Sequence, residues 1–106
     1  MENYVLLYSG GGMATTDAER AKLMQAWGAW FGKLGSAVVD GGNPFSGKSK
    51  TVAKDGKASD GDGGMKHSGY SILKADSLDA AVEMAKGCPV LSGGGNITVY
   101  EVHKAM

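Results

Sequence analysis

The stretch that most constrains this chain spans residues 69–89, GYSILKADSLDAAVEMAKGCP. It predicts a short strand over residues 70–74, a turn through Asp76-Ser77 and a helix over residues 78–86. Ser77 is placed to cap that helix, its hydroxyl accepting an otherwise orphaned backbone N–H, and Asp79 falls near the positive end of the helix dipole. Gly87 suits the left-handed position that ends a helix, and Pro89 cannot continue one. A strand running straight into a helix sets the fold reading. The rest of the chain is read for the elements that complete a sheet around it.

Residues 3–8 are strand-like, and Tyr4, Val5, Leu6, Leu7 and Tyr8 are apolar at both parities, which suits a central strand covered on both sides. Gly10-Gly11-Gly12 breaks it. Thr16-Asp17-Ala18-Glu19 has the form of a capping box. From there Leu23, Met24, Trp27, Trp30, Phe31 and Leu34 recur at three- and four-residue steps on one helical stripe. A helix packed on a sheet accounts for the stripe, and an aromatic ligand wall is the other reading. Gly28 and Gly32 weaken this helix by up to about 1 kcal/mol each relative to Ala, and Gly35 ends it. Residues 37–40 form a short strand closing on Gly41-Gly42-Asn43-Pro44. Residues 51–54 form another, followed by the Asp55-Gly56 turn. Residues 59–64 are polar and turn-forming, and are expected to be a mobile loop. Asp60 and Asp62 fail the spacing of a calcium loop, because Gly64 stands at the third ligand position and no glutamate follows at the required distance.

The last strand covers residues 97–103, with Ile97, Val99 and Glu101 on one face and Thr98, Tyr100 and Val102 on the other. The order is β-α-β-(β)-β-α-β. With right-handed crossovers it predicts one α+β domain over residues 1–106: a ferredoxin-like, split βαβ antiparallel sheet with two helices on one face. Such a sheet leaves its other face bare. Stacking two sheets in a homodimer covers it, and a domain of this size gains from the added burial.

Composition narrows the function classes. The formal charge is zero and Arg20 is the single arginine among eleven basic residues, which argues against a nucleic-acid surface. One cysteine allows no intramolecular disulfide and fits a reducing cytoplasm. Val5 to Leu7 is too short an apolar run for a secretory signal, and no run approaches the roughly 20 residues of a membrane span. A cytoplasmic domain without membrane contact is expected. The 18 glycines fall in clusters, not at a period, which marks loops and excludes a collagen or solenoid repeat.

Across most of its length the chain resembles the YCII-related family, in particular its DGPF-domain branch. The resemblance is carried by MENYVLLYSGG, WGAWFGKLGSAVVDGGNP, DGKASDG and GYSILKADSLDAAVEMAKGCPVLSGGGNITVYEV, in that order. It implies a dimeric α/β-barrel in which two ferredoxin-like protomers stack their sheets. Proteins of that architecture include small monooxygenases, lactone isomerases and heme-dependent enzymes, an analogy of fold that assigns no activity. The sequence departs from the family at two places. Asp60-Gly61-Asp62-Gly63 stands where the branch has Asp-Gly-Pro-Phe. The wider family's proposed histidine–aspartate pair falls on Met24 or Gln25 and on Cys88 before Pro89, so the pair does not carry over.

The remaining candidates come from the residues themselves. Cys88, expected just past a helix C-terminus, reads as a buried structural thiol of raised pKa, with redox or catalytic work as the alternative. Asp40 closes a strand before two glycines. Beside Trp27 or Trp30 it could serve as a general base, and otherwise it is a turn residue bonding nearby N–H groups. Asn43 shares that ambiguity, and His67 is placed to swing over a pocket mouth. Two histidines and one cysteine make no zinc spacing, and His67 alone does not argue for heme; no metal and no cofactor are expected. No glycine-rich stretch has dinucleotide or P-loop spacing. Three functions follow. The first is a small-molecule binding protein with a pocket between sheet and helix stripe, lined by Trp27, Trp30, Asp40, Asn43, Tyr70 and Cys88. The second is a cofactor-free enzyme, acid–base or monooxygenase-like, using Asp40 or His67. The third is a regulatory interaction module, since the family resemblance includes members linked to alternative sigma factors.

Overall fold

The computed structural model describes residues 1–10 and 16–103. Its elements run β1 (Glu2–Ser9), α1 (Asp17–Leu34), a single 3-10 turn (Gly35–Ala37), β2 (Val38–Asp40), β3 (Lys50–Val52), β4 (Ala58–Asp60), β5 (His67–Ala75), α2 (Leu78–Ala85), α3 (Pro89–Ser92) and β6 (Asn96–Glu101). Four strands form one sheet in the order β2-β5-β1-β6, and β3 and β4 form a separate two-stranded ribbon. Every pairing is antiparallel. β5 therefore lies between β1 and β2, and β1 between β5 and β6. That interleaving is compatible with the expected ferredoxin-like α+β fold.

Local sequence starts both long helices as expected. Thr16 Oγ1 accepts the Glu19 N–H at 3.1 Å and Ser77 Oγ accepts the Ala80 N–H at 3.1 Å. Each satisfies a backbone donor that the helix itself cannot. Two details at the end of α2 differ. Gly87 is not in the left-handed region. It is needed for space, because a Cβ there would lie 3.2 Å from Trp30 Cδ1. Pro89 does more than stop a helix, since it opens α3 from the first position, where its missing N–H costs nothing.

The core forms on one side of the sheet. Tyr4, Leu6 and Tyr8 of β1 are buried together with Leu73 and Ala75 of β5, Ala81 and Ala85 of α2, Trp30 of α1, and Cys88. Val5 and Leu7, of opposite parity, are only half-buried. β1 is central, as expected, but its apolar residues are covered on one side only. α1 corrects the expected stripe in the same way. Trp27, Phe31 and Leu34 pack on the core, while Leu23 is exposed and Met24 is 75% exposed. Trp30 Nε1 donates to the Met84 carbonyl at 3.0 Å, which ties α1 to α2.

β4 corrects the start of the loop expected over residues 59–64: Ser59 and Asp60 are strand, while residues 61–64 form the turn. β4 pairs residue by residue with β3, and Asp55-Gly56 makes the turn, with Lys57 N–H donating to Asp55 Oδ1 at 3.0 Å. Asp62 closes the following turn by accepting from the Gly64 and Lys66 N–H groups.

After β2 the chain crosses close over β5. Gly42 has φ of +73°, and a Cβ on it would stand 1.7 Å from the Tyr70 carbonyl oxygen. Gly42→Ala is therefore expected to destabilise by more than about 3 kcal/mol, combining left-handed strain with a backbone clash. Gly47 has φ of +93° and open space around it, so Gly47→Ala should cost only about 1–2 kcal/mol of strain. Urea titration of both variants checks this, and equal losses would refute the close approach.

Candidate functional site

The residues expected to line one pocket are divided between the two faces of the sheet. Along β5, Gly69, Ser71, Leu73 and Ala75 are buried on the helix side, while Tyr70, Ile72 and Lys74 point the other way. Trp27, Trp30 and Cys88 lie on the helix side and Tyr70 on the open side, so a single pocket lined by all six expected residues does not form.

On the helix side the aromatic stripe fills the space instead of walling a cavity. Trp27 meets Tyr8 edge-on at 5.4 Å and Trp30 at 5.7 Å, and Trp30 lies 5.1 Å from Phe31. These are ordinary packing distances for aromatic rings. Beneath them runs a buried polar chain that sequence reasoning missed. Tyr8 Oη donates to Ser71 Oγ at 2.7 Å, and Ser71 Oγ donates to the Gly41 carbonyl at 2.7 Å. Its signal was the parity of β5, which sets a serine between Gly69 and Leu73 on the apolar face.

Cys88 adjoins this chain. Burial pushes its thiol above the ordinary value of 9.0, opposed by the Val90 N–H and by the neighbouring Tyr8 hydroxyl. The expected direction and position both hold: Cys88 follows the end of α2, its N–H donating to the Ala85 carbonyl at 3.0 Å, and burial is the cause of the raised value. Burial likewise pushes the Tyr8 phenol well above 10.0. Its hydrogen bond to Ser71 opposes that rise, and neighbouring Cys88 adds to it. Both groups are neutral near pH 7. On its outer side, the α1–α3 junction offers only a shallow groove, touching Ala29, Lys33, Lys86 and Leu91.

The open face carries the other candidates. Asp40 stands opposite Ile72 in the register, beyond a bulge at Val39. Its Oδ1 accepts the Gly42 N–H at 2.8 Å, the turn role set out above, and it is exposed and not beside the tryptophans in a closed pocket. Asn43 contributes its backbone, its carbonyl accepting the Tyr70 N–H at 3.4 Å. Phe45, which sequence reasoning passed over, stacks on Tyr70 with ring centroids 6.0 Å apart and 26° between planes. The Phe45 N–H donates to the Ser68 carbonyl at 2.8 Å, which holds that segment along β5. His67 opens β5 opposite Ser9, and its Nδ1 is shut off from solvent with no hydrogen-bond partner. Val5, Leu7, Ile72 and Tyr100 complete an apolar surface, Tyr100 being 51% exposed.

Among the described residues, no three of His, Cys, Asp or Glu cluster closely enough to hold a metal ion, and no helix is long and apolar enough to cross a membrane. Comparison with family models, curated proteins and solved structures found no match to this chain.

The raised values of Cys88 and Tyr8 predict how stability depends on pH. The folded chain keeps these protons to higher pH than the unfolded chain does. Their contribution is fully present below pH 9 and is lost as pH rises through 9 and then through the phenol range. Denaturant midpoints should fall as pH rises from about 9 upward, and Cys88→Ala should remove the earlier part of the fall. A midpoint that rises with pH, or rapid labelling of Cys88 by a thiol reagent under native conditions, would refute the burial account.

Proposed function

We propose that this chain is a YCII-related protein that works as a homodimer, with a second copy over the open sheet face, and binds a small organic molecule there. The observation that carries the reading is the character of that face. Its centre is apolar, it lacks a helix layer, and it holds the Phe45–Tyr70 stack. Flat aromatic surface next to a few polar groups is the usual make-up of a small-molecule site. On this reading Tyr70 and Phe45 hold the ligand's apolar body, and His67 and Asp40 meet its polar groups. Trp27, Trp30 and Cys88 belong to the supporting core.

One observation favours an enzymatic version of the same site. His67 Nδ1 has no hydrogen-bond partner in a setting where buried nitrogens usually have one. With Nδ1 enclosed, proton transfer to a bound substrate falls to the other ring nitrogen of this half-buried histidine. Asp40 has one carboxylate oxygen already engaged by the Gly42 N–H.

Native mass spectrometry of the purified protein, from gentle to denaturing conditions, tests the reading. The expected species is a dimer of the 10.9 kDa chain carrying a small adduct that is lost on denaturation. Ile72→Glu should weaken the dimer at least ~100-fold, because it places an unpaired carboxylate in the contact. A monomer at micromolar concentration would overturn the dimer. A clean dimer that also takes up no small aromatic acid or alcohol from a test panel would overturn the ligand site.

A further inference from the structure

Between β2 and β5 the chain sends out the β3–β4 ribbon. All six of its strand residues are exposed, and Val52 is 68% exposed. What holds it is internal and modest: three paired positions, the Thr51 hydroxyl on the Gly61 carbonyl at 2.8 Å, and a well-exposed Lys50–Asp60 pair at 3.4 Å. Exposed ion pairs contribute little, and a lone two-stranded hairpin is marginal in water. The chain measures 44 × 40 × 18 Å with a radius of gyration of 15.1 Å, against about 13 Å for a compact domain of about 100 residues. Its thin dimension is only about that of one sheet and one helix layer.

The area of the open face gives this ribbon a purpose. With ~4.8 Å between strands and ~3.3 Å per residue, the four strands present roughly 400 Å² per copy, or about 800 Å² for two. Specific protein–protein contacts bury about 1,200–2,000 Å². A flat footprint understates accessible area, but one this small leaves room for contact from residues beyond the four strands. We propose that the β3–β4 ribbon is an arm that lies against a second copy of this chain and supplies part of that contact. The inference rests on the dimer reading above. One side of the arm has the make-up of a contact surface, with the Val52–Ala58 pair as an apolar centre and the neighbouring Lys50–Asp60 pair as a polar edge. Ordering on the second copy also gives the ribbon the support that its own two strands lack.

Limited trypsin digestion of the full chain is the test, because Lys50, Lys54 and Lys57 sit in the arm. Light scattering fixes the concentrations at which wild type is monomer and dimer, and Ile72→Glu serves as the monomeric control. Cleavage after Lys54 and Lys57 should slow roughly 10-fold or more in the dimer, as expected when docking suppresses local opening. It should stay fast in Ile72→Glu at every concentration. Tyr100→Glu, a substitution at a half-exposed site, replaces that control if Ile72→Glu does not fold. A dimer whose arm is cut as fast as the monomer's overturns the arm and leaves the dimer reading standing. A chain that stays monomeric throughout overturns both.

Discussion

Tyr8 is where the layers of this protein meet. Its ring stands edge-on to Trp27 of α1, and its hydroxyl donates to Ser71 of β5, which in turn donates to the Gly41 carbonyl at the end of β2. One residue of the central strand thus engages the helix layer by packing and two other strands by hydrogen bonds. Away from water such a chain is strong when complete and costly when broken. Its consequence reaches the far face of the sheet. Anchoring Gly41 brings Gly42 under the Tyr70 carbonyl and directs Asn43 to Phe45 along β5, where Phe45 stacks on Tyr70. The aromatic pair on the open side is positioned by a polar contact buried on the other side.

What was legible in the sequence follows from which forces act locally. Ser77 and Thr16 cap their helices through bonds three residues away, so spacing alone reveals them. Asp55-Gly56 is a turn for equally local reasons. The alternation in β6 also holds: Ile97 and Val99 pack on the core and Thr98 and Tyr100 face away. β4 was missed because a strand with no buried residue has no hydrophobic period to detect. Leu23 and Met24 show a second limit. A helical stripe says which side of α1 is apolar, but not how much of its length the sheet lies under.

The candidate site was less legible, for a reason that lies in β1 and β5. In β1 both parities are apolar, Tyr4-Leu6-Tyr8 on one side and Val5-Leu7 on the other, and in β5 Leu73 competes with Ile72 and Tyr70. Nothing local decides which parity receives the helices. That choice is made by the layer itself, through Trp30 on Met84 and Tyr8 against Trp27. The residue pattern alone therefore groups Tyr70 with the tryptophans, when the choice puts them on opposite sides of one sheet.

The same choice separates groups that can do chemistry from groups that cannot. On the helix side the polar atoms engage each other, and burial keeps the Tyr8 phenol and the Cys88 thiol protonated near neutral pH. Neither is a nucleophile there, and the aromatic rings lie too close together to admit a ligand. On the open side Asp40 retains capacity, since it is exposed and engages one N–H with a carboxylate that can accept several. The two main helices cover one sheet face and leave bare the other, to which the proposed function assigns both a ligand and a second copy. Under the proposed dimer those two roles fall on the same surface. A ligand at Tyr70 would then be enclosed by both copies, so that occupancy and assembly favour each other by linkage.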